Sequence, residues 1–311
     1  MEEHVQKRYQ SPPRKKRFRF GRFLIVILLL FVLVVIAFSI MQFQSGKKLA
    51  SVTKQPEQSF QADAPTSSIE NTLILGVDSR GEEQSRTDTM MLLSWNKDTN
   101  DFKMVSFMRD IYATIPGYQS YKLNTAYYLG GAQLLKDTLN GMFSLSIHHY
   151  AVIDFKSFEQ LVDILAPNGI KVDVEKDMSE AIGVTLTQGT HELNGQELLG
   201  YARFRQDAEG DFGRVTRQQK VMEALKEQLI TIQNAKNIPK FLGAVQGYVT
   251  TDLSTTDELK MALSMLRGGA NIEKIMIPAE GTYSFSSYSH AGSVIEVDLE
   301  QNKAILREFL Q

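Results

Sequence analysis

The chain has no cysteine. Disulfides, thiolate metal sites and thiol nucleophiles are therefore excluded, and the absence suits an exported protein of a bacterium that does not rely on disulfides. No Gly-x-Ser-x-Gly elbow and no P-loop occurs, which leaves serine-hydrolase and nucleotide-motor readings without support. Internal repeats and low-complexity tracts are missing too. One segment lacks charge altogether: from Phe23 to Gly46 there is no Asp, Glu, Lys or Arg, and FLIVILLLFVLVVIAFSIMQF fills most of it. Taken whole, the chain has the composition of an ordinary globular protein, with 43% hydrophobic and 23% charged residues. At 311 residues the chain has room for one large domain or two small ones.

About 20 apolar residues cross a bilayer as a helix, so residues 23–45 read as a transmembrane helix in the lipid bilayer. Residues 1–22 carry eight Lys or Arg against Glu2 and Glu3. A basic tail abutting the span holds that end in the cytoplasm, which predicts a single-pass type II protein of the cell membrane with the remainder outside. A cleaved signal peptide shares the basic start and apolar core, but the run is long for one and no small-x-small site follows it. Residues 46–70 are polar with two prolines and read as an extracellular linker, so the folded domain is expected to span 71–311. Beyond the tail there are 26 basic and 34 acidic residues, net −8. Such a domain is a poor match for nucleic acid, which calls for a basic face.

Within the domain, strand and helix patterns alternate. NTLILGVD, TMMLLSWN and DFKMVSFMRDIYATI read as strands. NTAYYLGGAQLLKDTLNGMF reads as a helix, HYAVIDF as a strand, and KSFEQLVDIL as a helix stopped by APNG. GIKVDVE follows as a strand and NGQELLGYARF as a short helix. In DFGRVTRQQKVMEALKEQLITIQ, Val215, Met222, Leu225 and Leu229 recur at helical spacing, making it the longest helix. Two more helices, a strand at IEKIMIPAEG and a closing helix near LEQNKAILREFL complete a single layered α/β domain. His148, His149, His191 (in a turn) and His290 (in a polar loop) read as structural or surface residues.

Arginine is unevenly placed. Of nine arginines beyond the tail, seven fall in three short segments: Arg80 and Arg86, then Arg109, then Arg203, Arg205, Arg214 and Arg217. The seventeen lysines are scattered. The guanidinium fork matches phosphate oxygens two at a time, so this clustering points to phosphate recognition. Arg203 and Arg205 share a face in extended backbone. Arg214, Arg217, Gln218 and Val221 share a helix face, with Arg214 and Gln218 in its first two turns, where the dipole favours an anion. The competing reading is a set of Arg–Asp bridges that merely stabilise a loop, with Asp207, Glu209 and Asp211 at hand. Asp78 and Asp88, at the ends of adjacent strands, are candidates for a hard divalent cation shared with phosphate oxygens; the alternative is that they only neutralise Arg80 and Arg86. Acids plus surplus guanidinium describe a metal–phosphate site of the kind that catalyses phosphoryl transfer.

LGVDSR, SRTDTMML, SFMRD, KLNTAYYLGG and YARFRQDAEGDFGRVTRQQ, together with the anchor, resemble the LytR–CpsA–Psr family of Gram-positive bacteria, in order and spacing, over residues 71–233. Met108 stands where members often have Pro, and LAPNG lacks a double glycine common there. The resemblance implies an α/β fold with a central mixed β-sheet flanked by helices. It also implies a phosphotransferase acting on a polyprenyl-pyrophosphate-linked glycan (wall teichoic acid, capsule or similar), with peptidoglycan as acceptor and Mg²⁺ (or Mn²⁺) as cofactor. By motif, Asp78 and Asp88 would hold the metal, while Arg86, Arg109, Arg203, Arg205, Arg214 and Gln218 would contact the phosphates. Arg80, Lys122, Asn124 and Arg217 follow as further substrate-binding candidates. Asp211 is the candidate for assisting deprotonation of the attacking sugar hydroxyl, with Asp110 and Asp207 as rivals. A pyrophosphate-lipid sensor that attenuates envelope gene expression, and a pyrophosphate hydrolase using water, remain open beside it. The basic tail is too short for a helix-turn-helix, which weighs against direct control of DNA. Residues 234–311 carry no motif of their own.

Overall fold

The computed structural model describes residues 20–50, 58–65, 67–78, 86–229, 231, 236–267 and 272–311. It divides into two units, Met1–Met41 and Gln42–Gln311. The first element, α1 (Phe20–Leu49), includes the 22 residues Leu28–Leu49, with a mean hydropathy of 2.2, long and apolar enough to cross a membrane.

The larger unit begins with β1 (Ile69–Val77), β2 (Thr87–Asn96), β3 (Phe102–Phe107), β4 (Tyr112–Ala113) and β5 (Tyr121–Lys122). There follow α2 (Leu123–Phe143), β6 (His149–Asp154), α3 (Phe155–Leu165), β7 (Ile170–Val174) and β8 (Gly189–Leu193). Then come α4 (Gly195–Arg203), α5 (Gly210–Leu229), α6 (Ile238–Tyr248), β9 (Val249–Thr251) and α7 (Thr255–Arg267). The chain closes with β10 (Glu273–Ile277), β11 (Tyr283–Tyr288), β12 (Gly292–Val297) and α8 (Leu299–Leu310). Six strands form one mixed sheet in the order β10-β3-β2-β1-β6-β9, in which β1–β6 and β3–β10 are parallel and the rest antiparallel.

The sheet is covered on both faces, and β2 shows why its sequence is apolar throughout. Met90 and Leu92 join the cluster that packs under α2 and α8 through Ala126, Leu135, Leu139 and Leu306. Met91, Leu93 and Trp95, one residue out of phase, join Met104 and the partly buried Met222, Met261 and Met265 on the opposite face. A third cluster, from α3, the β7–β8 hairpin, α4 and Val221 of α5, forms a smaller core beside the sheet.

The structure departs from the sequence reading in four places. The strand expected over DFKMVSFMRDIYATI is interrupted: β3 ends at Phe107, Met108 N donates to Ile277 O (3.0 Å), and the chain turns at Arg109–Asp110 before the separate β4–β5 pair. His191, expected in a turn, lies in β8 opposite Val172. The hairpin β11–β12 was not foreseen. Part of the expected linker is also folded onto the domain. Gln58 Oε1 accepts from Ala132 N (2.7 Å) where α2 breaks, and a Cβ at Gly131 (φ +63°) would come within 2.5 Å of that oxygen. Asp63 accepts from Ile147 N (2.8 Å) and pairs with the buried Lys136 (2.8 Å).

Burial works to raise the Asp63 carboxyl, but Lys136 and the Ile147 N–H hold it below its ordinary value. Its contribution to stability is therefore present above the unfolded-state pKa and fades as pH falls through the depressed folded value. Asp63→Ala should cost about 2 kcal/mol in urea unfolding of the solubilised chain at neutral pH, because it leaves Lys136 buried without its main partner. The penalty should shrink in acid; a penalty independent of pH would contradict the assignment.

Candidate functional site

The site begins at a flaw in the sheet. Gly76 pairs with Thr89 and Val77 with Thr87, so Asp88 is the extra residue of a β-bulge. Buried Thr87 pins it, its hydroxyl lying 2.9 Å from Gly76 O and 2.8 Å from Thr89 O. A side chain at Gly76 would crowd Thr89 Cβ at 3.0 Å. The bulge turns Asp88 toward Arg109, whose Nη1 donates to Asp88 Oδ1 (2.7 Å). Arg109 Nε donates in turn to Asp211 Oδ2 (3.0 Å) in the first turn of α5. The Arg109 backbone is held by Asn124 N, which donates to its carbonyl (3.2 Å). One guanidinium thus ties the sheet to the helix.

Beside this pair lies a cavity of about 140 Å³. Among the described residues, Arg109, Arg203, Arg205 and Arg214 line it against two acids, Asp88 and Glu180, and Gln218 completes its polar wall. Arg203 lies over the Phe155 ring (4.8 Å), and Arg205 Nη1 is 4.0 Å from Asp211 Oδ1. Arg214 is the telling residue. Its side chain is 5% exposed, and Nη2 donates to Asp211 Oδ2 (3.3 Å), yet buried Nε has no hydrogen-bond partner among the described residues. Burial and the neighbouring Arg109 charge push Arg214 below its ordinary pKa, and Asp211 and Asp88 offset this only in part. Burial alone would raise Asp211, but Arg214 and Arg109 override it and hold the carboxyl below the usual range. Burial opposes charge on Arg109 as well, and Asp211 and Asp88 outweigh it. A buried donor left open beside surplus positive charge is suited to an anionic, oxygen-rich ligand.

The other predicted residues fall into distinct places. Arg86 is exposed, 5.7 Å from the Tyr128 ring centroid, and does not line the cavity. Lys122 pairs with Asp110 (2.9 Å), and Asn124 is buried; both brace the Arg109–Asp110 turn rather than face the cavity. Arg80 lies outside the described residues. Arg217 is a correction: it is fully buried, donates to Glu175 Oε1 (2.8 Å) and Phe204 O (3.0 Å), and bonds Asp207. It fastens the 204–209 loop, as the Arg–Asp bridge reading would have it, and does not line the cavity. Asp207 is bound by Arg217 and Lys176 and is not among the residues that line the cavity. Val215 and Val221 are core residues.

Asp78 follows β1 and Asp88 sits on the bulge of β2, at the same end of the paired strands; Asp78 Oδ2 is 4.0 Å from Arg203 Nη2. No group of three or more His, Cys, Asp or Glu is gathered for a metal among the described residues. Two carboxylates fit a hard cation that draws its remaining oxygens from phosphate and water, which is the usual mode for Mg²⁺. Sequence reasoning missed Phe155, Leu199 and Ala181 (φ +61°) in the cavity wall, because apolar residues distant in the chain carry no local mark.

The fold is a mixed α/β sheet covered by helices, with an arginine-lined cavity beside the β2 bulge. The chain belongs to the LytR_cpsA_psr family, whose model matches residues 34–308. It is 43% identical over 239 residues to "Regulatory protein MsrR" of Staphylococcus aureus (strain COL), covering 76% of this chain and 73% of that one. It is 31% identical over 263 residues to "Polyisoprenyl-teichoic acid--peptidoglycan teichoic acid transferase TagU" of Enterococcus faecalis (strain ATCC 700802 / V583), covering 82% and 86%. Among solved structures, TagT bound to LI-WTA superposes with a TM-score of 0.64 at 25% identity, covering 83% of this chain and 97% of that one.

Arg214→Met removes a buried charge with an open donor, so the thermal midpoint should hold or rise while affinity for inorganic pyrophosphate falls about tenfold or more. Arg217→Met leaves Asp207 with Lys176 and Glu175 with Tyr201 and Lys220, but removes their shared buried partner, and should cost about 3 kcal/mol. Equal destabilisation by both substitutions, measured in thermal scans, would show Arg214 to be a structural residue only.

Proposed function

We propose that the chain is a membrane-anchored phosphotransferase, its catalytic unit outside the cell, that moves a glycopolymer (wall teichoic acid, capsule or similar) from a polyprenyl-pyrophosphate carrier onto peptidoglycan. The observation that carries this reading is the buried, open Arg214 Nε in a cavity with four arginines. The relative named a teichoic acid transferase, and TagT bound to LI-WTA, support it.

In this reading Arg203, Arg205, Arg214 and Gln218 grip the pyrophosphate, and Arg109, fixed at both ends by carboxylates, faces the oxygens on which charge grows. Asp78 and Asp88 would hold Mg²⁺ (or Mn²⁺), which when bound supplies charge neutralisation of the phosphate oxygens. The acceptor sugar hydroxyl forms an O–P bond to the glycan-linked phosphorus. The bond from that phosphorus to the bridging oxygen breaks, and its electron pair leaves with polyprenyl phosphate. The hydroxyl proton passes to the Asp211 carboxylate, ionised beside Arg109 and Arg214, and then to solvent.

The expected result, with the chain in proteoliposomes, is release of polyprenyl phosphate from a lipid-linked glycan when peptidoglycan and Mg²⁺ are supplied. Arg109→Ala should slow release about 10²–10³-fold. Because Asp211 is held below the ordinary carboxylate range, the acid limb of the pH–rate profile should lie below that range, and Arg109→Gln should move it upward. The name of the regulatory relative favours a second reading, in which the cavity binds the lipid without turning it over. Tight lipid binding with no release under any acceptor would favour that reading.

A further inference from the structure

A second cavity, of about 260 Å³, is lined by Asp110, Asp211 and the β11–β12 hairpin. Asp110 and Asp211 line it, while Arg109, bonded to Asp211 and 3.7 Å from Asp110, lines the other, so the two cavities meet at this ion-paired cluster. Its outer wall is the β11–β12 hairpin. Phe285 and Ile295 are paired across the hairpin, and Ser287 with Ser293, so Phe285, Ile295 and Ser293 share one face. Ile295 N donates to Asp110 O (2.9 Å), which fixes this face against the Arg109–Asp110 turn.

Phe285 is 73% exposed, more than any other large apolar side chain among the described residues. It is held edge-on to Tyr283 (5.6 Å, 82°), which stacks on Phe212 (5.2 Å, 28°), so the ring is presented on an aromatic support. The same cavity is lined by the exposed Glu209 and by two ion-paired carboxylates, Asp110 with Lys122, and Asp211 with Arg109 and Arg214. All three retain lone pairs for hydroxyl donors and repel an anion. A flat apolar ring facing acceptor oxygens suits a ligand with one C–H face and hydroxyls on its rim. The volume, below the roughly 300–1,000 Å³ of drug-sized sites, suits a single ring.

We propose that this cavity is the acceptor subsite: it takes one neutral sugar ring of a glycan strand, stacked on Phe285, with a hydroxyl directed at the Asp110–Asp211 wall. The assignment to the acceptor rests on the phosphotransferase reading above; the saccharide site rests on the cavity itself.

The test uses the full chain in detergent micelles and two titrations, one with a β-1,4-linked N-acetylglucosamine tetrasaccharide and one with geranylgeranyl pyrophosphate. Phe285→Ala, at an exposed position, should raise the tetrasaccharide Kd about tenfold, and Ser293→Trp, which fills the cavity, should abolish its binding. Pyrophosphate affinity should not change in either. Tetrasaccharide binding that is absent from the parent chain, or equally tight in both variants, overturns the proposal. If the parent binds tetrasaccharide in a Phe285-dependent way but takes no pyrophosphate, the saccharide site stands and the donor reading falls.

Discussion

Arg109 couples the two layers on which the site depends. Its Nη1 bonds a carboxylate on a sheet bulge and its Nε bonds one at the start of α5, while its carbonyl is tied to the first turn of α2. Buried ion pairs are worth having only when their geometry is good and remaining groups are satisfied. Here the pairing consumes Arg109's nearest acids and leaves Arg214, one turn along α5 from Asp211, with an open buried donor. The positive surplus of the cavity follows from that unequal division.

The arginines of YARFRQDAEGDFGRVTRQQ accordingly divide by what surrounds them. Arg217 is enclosed by Glu175, Asp207 and the Phe204 carbonyl, and holds the loop that carries Arg205 into position. Arg214 is equally deep but faces a cavity. Arg203 and Arg205, at 35% and 47% side-chain exposure, remain at its rim, where a ligand can still draw them in. The C-terminal third belongs to the same frame, since β10 extends the sheet beside β3 and the β11–β12 hairpin bonds the Asp110 carbonyl.

Much of this was legible because period and composition act locally. The strands NTLIL and MLLSW, the α5 register and the clustering of arginine all reflect neighbours within a few residues. Arg109, Arg203, Arg205, Arg214 and Gln218 line one cavity, whereas Arg86 and Arg217 of the same segments do not. What was not legible depended on distant contacts. No local mark shows that Arg217 would find Glu175 forty-two positions away, or that Gln58 would seat on the break in α2. The interruption after Phe107 is similarly a tertiary event, set by Ile277 and Asn124. The short β11–β12 hairpin, YSFSSY and GSVIEV, is too polar to stand out as paired strands until Phe212 and Ile111 supply its packing.

The central claim is that the arginine cavity holds a lipid pyrophosphate. The most direct measurement is mass spectrometry of lipid extracted from the chain purified in mild detergent, beside the Arg203→Ala/Arg205→Ala double variant. Polyprenyl pyrophosphate should accompany the parent chain and be depleted from the variant. A parent chain carrying only bulk phospholipid, in the same amount as the variant, would contradict it.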